Sequence, residues 1–247
     1  MKNDRLSFII NSDFAMMKKA VVLFSGGIDS TTALHWSLDR FVKVQALTFD
    51  YGQRHRIEIR HAAKLAKLLK VDQKTLQVDL NPVGGSSLTD HSLAVPDFEN
   101  VKTGRGRPPS SYVPFRNGIF IALAAAWAEA RDCRNLICGF NVIDSPDYPD
   151  TRKSFVRAME KAVNSGSKAA FGGDRFMIHA PFIDMKKSEI IKLGLSLGAD
   201  YSYAISCYSG REIPCGKCPA CCLRRRAWKE AGREDPLIER LKKEGAL

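Results

Sequence analysis

Ser25-Gly26-Gly27-Ile28-Asp29-Ser30 follows directly on the apolar run Ala20-Val21-Val22-Leu23-Phe24, and these types at this spacing suit the pyrophosphate of a nucleotide. Two glycines let the chain turn sharply and bring its backbone close to a ligand. A helix opening at Ser30-Thr31 and running to Leu38 presents free N–H groups at its N-terminus, where an anion is favoured. The hydroxyls of Ser25, Ser30 and Thr31 add donors at the same place. This junction holds neither G-x-x-x-x-G-K-[ST] nor G-x-G-x-x-G, which excludes there the lysine loop of γ-phosphate transfer and the dinucleotide fingerprint. A tight turn that uses its glycines only to turn is the plainer alternative.

A second cluster lies near the C-terminus: Cys207, then Cys215-x2-Cys218-x2-Cys221, with Cys222 adjacent. Four thiolates can close a tetrahedral zinc site, and Gly216 and Pro219 let the backbone wrap one ion. A site closed by four sulfurs has no open position for substrate, so the metal is expected to be structural. Cys222 points elsewhere if Cys221 binds, because adjacent side chains diverge. A pair of disulfides is the alternative; five of the seven cysteines crowd into this segment and no secretory signal is recognised, which argues against it. Cys133 and Cys138 border an apolar stretch and read as small core residues.

These clusters need a scaffold. Strand patterns at residues 20–24, 42–49, 75–78, 135–139 and 176–179 alternate with helical patterns at 30–38, 57–69, 119–130, 154–164 and 188–197. The alternation predicts an α/β fold, a doubly wound, mostly parallel sheet covered on both faces. Ligands of such sheets bind outside the carboxyl ends of the strands. Three polar clusters are predicted near that end: Asp50-Tyr51-Gly52-Gln53-Arg54-His55, Val113-Pro114-Phe115-Arg116-Asn117, and Gly139-Phe140-Asn141-Val142-Ile143-Asp144. Arg116 offers a planar fork to phosphate or carboxylate, and Asn117 could cap its helix. Asp50 and Asp144 are candidates to hold hydrated magnesium or read base-edge donors, with a surface turn as the alternative. His55 pairs with Glu58 or stands in solvent. Residues 81–111 form a Gly/Pro/Ser-rich stretch of the length found in lids and mobile segments.

The 247 residues suffice for one large α/β domain with a metal-stapled tail and fall short of two full domains. No apolar run approaches the ~20 residues that span a bilayer, and a cytoplasmic location is expected. The net charge of +11, from 38 basic and 27 acidic residues, suits an anionic nucleotide or a nucleic acid without choosing between them. Arg224-Arg225-Arg226 is the densest basic run; lacking interleaved aromatics, it reads as a solvated helix face rather than a nucleic-acid surface.

S-G-G-x-D-S resembles the loop of ATP pyrophosphatases (PP-loop enzymes), which release pyrophosphate and activate a substrate as its adenylate. The wider set comprises residues 25–32, Tyr51-Gly52-Gln53-Arg54-His55, Tyr112-Val113-Pro114-Phe115-Arg116-Asn117, Gly139-x-Asn141 with Tyr148-Pro149-Asp150, Lys187-Ser188-Glu189, and Cys207-Tyr208-x-Gly210 with the cysteine cluster. In that order it resembles the 7-cyano-7-deazaguanine synthase family, from about residue 18 to residue 226. The resemblance implies an adenine nucleotide alpha hydrolase-like fold: an N-terminal extension at 1–17, an ATP-pyrophosphatase domain at 18–204 and a zinc-binding helical tail at 205–247. It implies ATP-dependent conversion of 7-carboxy-7-deazaguanine and ammonia to the nitrile precursor of queuosine. It further implies Zn2+ on Cys207, Cys215, Cys218 and Cys221, Mg2+ with the ATP, and a homodimer with no stable nucleic-acid partner and no membrane.

Within that resemblance the nucleotide stretch is Phe24, Ser25, Gly26, Gly27, Ile28, Asp29, Ser30, Thr31, Thr32, Ala33 and Leu34. Ser25, Gly26, Gly27, Ser30 and Thr31 would hold phosphates and Asp29 would orient the loop or magnesium. Arg116 and Lys187 would face developing phosphate charge. Two departures fall in one loop: Pro146-Asp147 stands where the family has Ser-Gly before Tyr-Pro-Asp, and Thr151 replaces a common cysteine. They leave base recognition there open. No length remains for a glutamine-hydrolysing domain, so ammonia is expected from solution. Two other readings share some of these features: an adenylating enzyme acting on tRNA, and a zinc-ribbon nucleic-acid module on a non-catalytic nucleotide-binding domain.

Overall fold

The computed structural model describes residues 19–100, 108–143 and 146–247; the 1–17 extension, Lys18 and Asp144 lie outside them. Five strands, β1 (Lys19–Leu23), β2 (Lys43–Asp50), β3 (Asp72–Gln77), β4 (Asn135–Ile137) and β5 (Met177–His179), form one sheet in the order β3-β2-β1-β4-β5. Every pairing is parallel. The helices are α1 (Ile28–Leu38), α2 (Ile57–Leu68), α3 (Arg116–Glu129), α4 (Lys153–Gly166), α5 (Lys168–Phe171), α6 (Lys187–Ser196), α7 (Pro219–Ala231) and α8 (Pro236–Lys243). The expected doubly wound α/β fold is what the chain adopts. Among the described residues no helix is long and apolar enough to cross a membrane.

The β-branched run of β1 follows from its central place, because a strand covered on both faces has no polar side. Val22 packs with Leu34, Ala62, Leu65, Ile190 and Ile191 of α1, α2 and α6 on one face. Val21, one residue away and therefore on the opposite face, packs with Ile121, Ala124, Leu136 and Val156 on the side of α3 and α4. Each such valine contributes about 1.5–3 kcal/mol by burial. The chain winds outward from β1 through β2 to β3, then returns to β1's other edge with β4. The crevice at the carboxyl ends of β1 and β4 is thus the switch point of the sheet.

Several boundaries differ from the sequence expectations. β3 begins at Asp72 rather than 75 because it is an edge strand whose polar first residues gain a full ladder with β2. α3 begins at Arg116 rather than 119, since the Asp150 carboxylate accepts from the Asn117 N–H at 3.1 Å. Asn117 therefore does not cap its own helix; Phe115 holds the N-cap position with φ +52° and Asp150 supplies the acceptor. α7 starts at Pro219 and carries Cys221 and Cys222 in its first turn. α8, absent from the sequence reading, is capped by Asp235 and buries Leu237 and Leu241 one turn apart. In the described part of the 81–111 stretch Ser86, Ser87, Leu88 and Thr89 are buried while most of the other residues are exposed, and the Phe98 N–H donates to Lys217 O at 2.9 Å.

Candidate active site

The switch point opens into a cavity of about 320 Å³. Phe24, Ser25, Gly27, Ile28, Asp29 and Ser30 form one wall, with Lys187 and Arg116 also on the lining. Gly26 has φ +80°, and a Cβ there would lie 3.0 Å from Ala62, so only glycine lets the loop lie against α2. Gly139 is required for a different reason: a Cβ would meet the Asp29 carbonyl carbon and oxygen at 2.9 Å as β4 ends beside the loop. Ser25 Oγ and Ser30 Oγ lie 3.2 Å apart, and Ser30 Oγ donates to Gly27 O at 3.1 Å. Lys187, the first residue of α6, donates to Asp29 Oδ2 at 2.9 Å. The hydroxyl of Thr31 is buried and has no hydrogen-bond partner.

The rest of the predicted nucleotide stretch turns inward. Thr32 Oγ1 sits 2.7 Å from the Tyr201 hydroxyl, while Ala33 and Leu34 belong to the core. Thr31, Thr32, Ala33 and Leu34, on the face of α1 turned to the core, and Gly26, turned against α2, are absent from the cavity lining.

Across from the phosphate loop the lining changes character. Phe49 and Phe120 stack at 4.1 Å, and Tyr51, Phe140, Tyr148 and Tyr208 add ring surface. Arg116 donates from Nη1 to the Tyr51 hydroxyl at 3.1 Å, while its Nε is buried without a partner. His55 is buried beside Glu58, Nε2 to Oε1 3.5 Å, which resolves its two readings in favour of the pair. Asp50 forms an ion pair with Arg56 and does not line the cavity.

The C-terminal tail closes the cavity. Ile205, Ser206, Tyr208, Ala220, Leu223 and Arg224 lie on its wall. The Ile205 N–H donates to Gly26 O at 3.1 Å, joining tail to loop. Arg224 departs from the expected solvated face: only Arg225 and Arg226 of that run are exposed. Its guanidinium is buried, forked onto Asp235 at 2.5 and 2.7 Å and donating to Ala204 O. Burial selects arginine here because its fork satisfies several acceptors at once.

Beside this wall the sulfurs of Cys207, Cys215, Cys218 and Cys221 all lie within 4.8 Å of one another. Every cysteine among the described residues is free. The N–H groups of Cys215 and Cys218 point at the sulfurs of Cys207 and Cys215, both at 3.3 Å, a polar shell that stabilises thiolates. Hydrogen bonds from Cys218 and Cys221 hold the Cys207 thiol far below its usual range, and the same bonds push Cys218 up to about 12 and Cys221 higher still. Such a set does not ionise fully without a cation, and its donor chemistry fits a soft tetrahedral ion. Cys222 turns away toward the carbonyls of Gly216 and Lys217.

A family model described as "Queuosine biosynthesis protein QueC" matches residues 19–232. The chain belongs to this family. A 7-cyano-7-deazaguanine synthase of Methylococcus capsulatus is 42% identical over 223 residues, covering 89% of this chain and 98% of the relative. Proteins of the same name from Saccharophagus degradans (41%, 89% of this chain and 96% of the relative) and Thermoplasma volcanium (42%, 90% and 91%) match equally broadly.

Within the QueC match, residues 19–232, sequence reasoning left Glu58, Phe120, Phe140, Ser206, Tyr208 and Leu223 without a role in the cavity. Tyr208 stood inside a quoted motif, yet nothing in its neighbours says that it faces a cavity. Cys138 reaches the lining at the end of β4, and burial pushes its thiol up to about 12. Cys133 is also buried, with its thiol raised by desolvation. Neither is the activated thiolate that sulfur transfer to a tRNA base requires.

Proposed function

We propose that this chain makes 7-cyano-7-deazaguanine from 7-carboxy-7-deazaguanine, ammonia and ATP, in queuosine precursor biosynthesis. The observation that carries the reading is the cavity itself: a hydroxyl-rich loop at a helix N-terminus faces an aromatic wall with a buried arginine, in a chain whose relatives bear the synthase name. A planar deazapurine can stack on such a wall, and a triphosphate can lie against the loop. The carboxylate, a poor electrophile, attacks the α-phosphorus of ATP to give an acyl adenylate. Ammonia displaces AMP and leaves the amide, and a second adenylation of the amide oxygen allows dehydration to the nitrile. The protein supplies position and charge rather than a covalent nucleophile.

Ser25, Gly27 and Ser30 hold phosphates, while Arg116 and Lys187 offset developing charge. The Lys187 pair keeps Asp29 oriented beside the loop, where its second oxygen, buried without a partner, is available to magnesium or a donor of the nucleotide. Cys207, Cys215, Cys218 and Cys221 hold zinc, which when bound cross-links the tail. The protein works in the cytoplasm as a homodimer on small molecules, without a stable nucleic-acid partner. Purified protein given the acid, ammonium and Mg-ATP is expected to yield the nitrile by mass spectrometry. Absence of both nitrile and amide would overturn the reading.

A further inference from the structure

Making a nitrile from ammonia removes three protons from one nitrogen. On the reading above, carboxylate adenylation expels pyrophosphate and moves no proton. Ammonia then bonds to the acyl carbon, AMP leaves with the C–O pair, and one N–H proton is lost. In the second activation the amide oxygen bonds to phosphorus, pyrophosphate leaves, and a second N–H proton departs to give the adenylated imidate. Finally AMP leaves with the C–O pair while the last N–H pair becomes the third carbon–nitrogen bond, and its proton goes to a base.

The cavity offers few acceptors for these protons. Asp29 lies at the phosphate loop, one oxygen on Lys187 and the other assigned above to magnesium or the nucleotide. Burial raises the Tyr51 hydroxyl and the Cys138 thiol to about 12, so both stay protonated, and Tyr208 is a phenol, a group ordinarily protonated at neutral pH. The Tyr148 hydroxyl is paired with Ser111 at 2.9 Å. Among the described residues on the lining, His55 and Glu58 remain. The His55 side chain is 6% exposed; its Nε2 lies 3.5 Å from both Glu58 Oε1 and the Tyr51 hydroxyl, and its Nδ1 has no hydrogen-bond partner. A buried ring nitrogen without a partner is rare enough to need an explanation.

We infer that His55, its Nε2–H directed to Glu58, is the general base that takes the nitrogen protons at Nδ1 during amide formation and dehydration. Burial lowers the His55 pKa, which keeps the imidazole neutral and ready to accept at neutral pH. Glu58 is the positioning residue: it fixes the tautomer and offsets the charge of the imidazolium, opposite Arg116. Separations of 3.5 Å are common in such pairs before substrate fills the site.

Two half-reactions separate the base role from packing. Pyrophosphate release from the acid and ATP without ammonia moves no proton, whereas conversion of supplied amide and ATP to nitrile moves two. In His55→Phe, amide dehydration is expected to fall ~10²–10⁴-fold in single turnover, and the acid half-reaction at least ~10-fold less. Glu58→Gln is expected to show the same asymmetry at smaller size, and it decides alone if His55→Phe does not fold. Equal losses in both half-reactions, or dehydration retained within about threefold, would overturn the assignment. Failure of the unaltered protein to make amide or nitrile would overturn the parent reading instead.

Discussion

At the phosphate loop the side chains hold one another: Ser25 with Ser30, Asp29 with Lys187, and glycine where α2 presses against the turn. At the cysteine cluster four like groups crowd within 4.8 Å, and their hydrogen bonds drive the thiol pKa values apart. The loop's shape is therefore set by the chain, while the cluster's is, on the proposed function, completed by a bound ion. Yet the two meet at Ile205 and Gly26 and line a single cavity. Rigidity at one end of a site can thus depend on a ligand at the other.

The largest effect is expected at the ion that the cysteines are proposed to hold. Cys218→Ser is expected to lose bound zinc and most of the stability of the tail, of which structural zinc supplies ~10–16 kcal/mol in small peptides and less in a pre-folded domain. Cys222→Ser should lose neither; elemental analysis with thermal melts checks both. Next comes the link between tail and sheet. Arg224→Ala leaves the half-buried Asp235 carboxylate with only the Leu237 N–H and should cost about 1–3 kcal/mol, measured by denaturant unfolding of the zinc-loaded protein. At the loop, Asp29→Ala or Ser30→Ala should slow adenylation ~10²–10³-fold with little change in melting temperature, because these groups face ligand rather than core. Full turnover in a well-folded variant would contradict the loop's role in adenylation.

The smallest expected effect is on pH. Burial lowers His35, His55 and His179 from the ordinary 6.5. Below that value the unfolded chain binds protons that the folded chain refuses, so stability is full above about pH 7 and declines as pH falls through 6.5. Melting temperatures in buffers from pH 8 to 5, as a flat-then-falling curve, check the sign.

Much of this was legible because local signals agreed with tertiary structure. The Ala20–Phe24 run, the glycine loop and the alanine-rich α3 each carry a period or a turn chemistry that their burial later satisfies. What stayed hidden depended on contacts distant in sequence. The start of α3 is set by Asp150, Arg224 is claimed by Asp235 and Ala204, and Tyr208 reaches the cavity only because the tail folds across it. α8 was the exception, for Asp235-Pro236 is an N-cap followed by a first-turn proline, with leucines one turn apart.

Nucleotide affinity measured with and without the tail's metal tests the joint site most directly. Calorimetric titration of Mg-ATP into the zinc-loaded protein, the chelated protein and the same protein with zinc restored should show affinity falling at least ~10-fold on chelation and returning with the metal, a loss of about 1.4 kcal/mol or more. Unchanged affinity in the chelated protein would contradict a cavity whose wall the cysteine tail supplies.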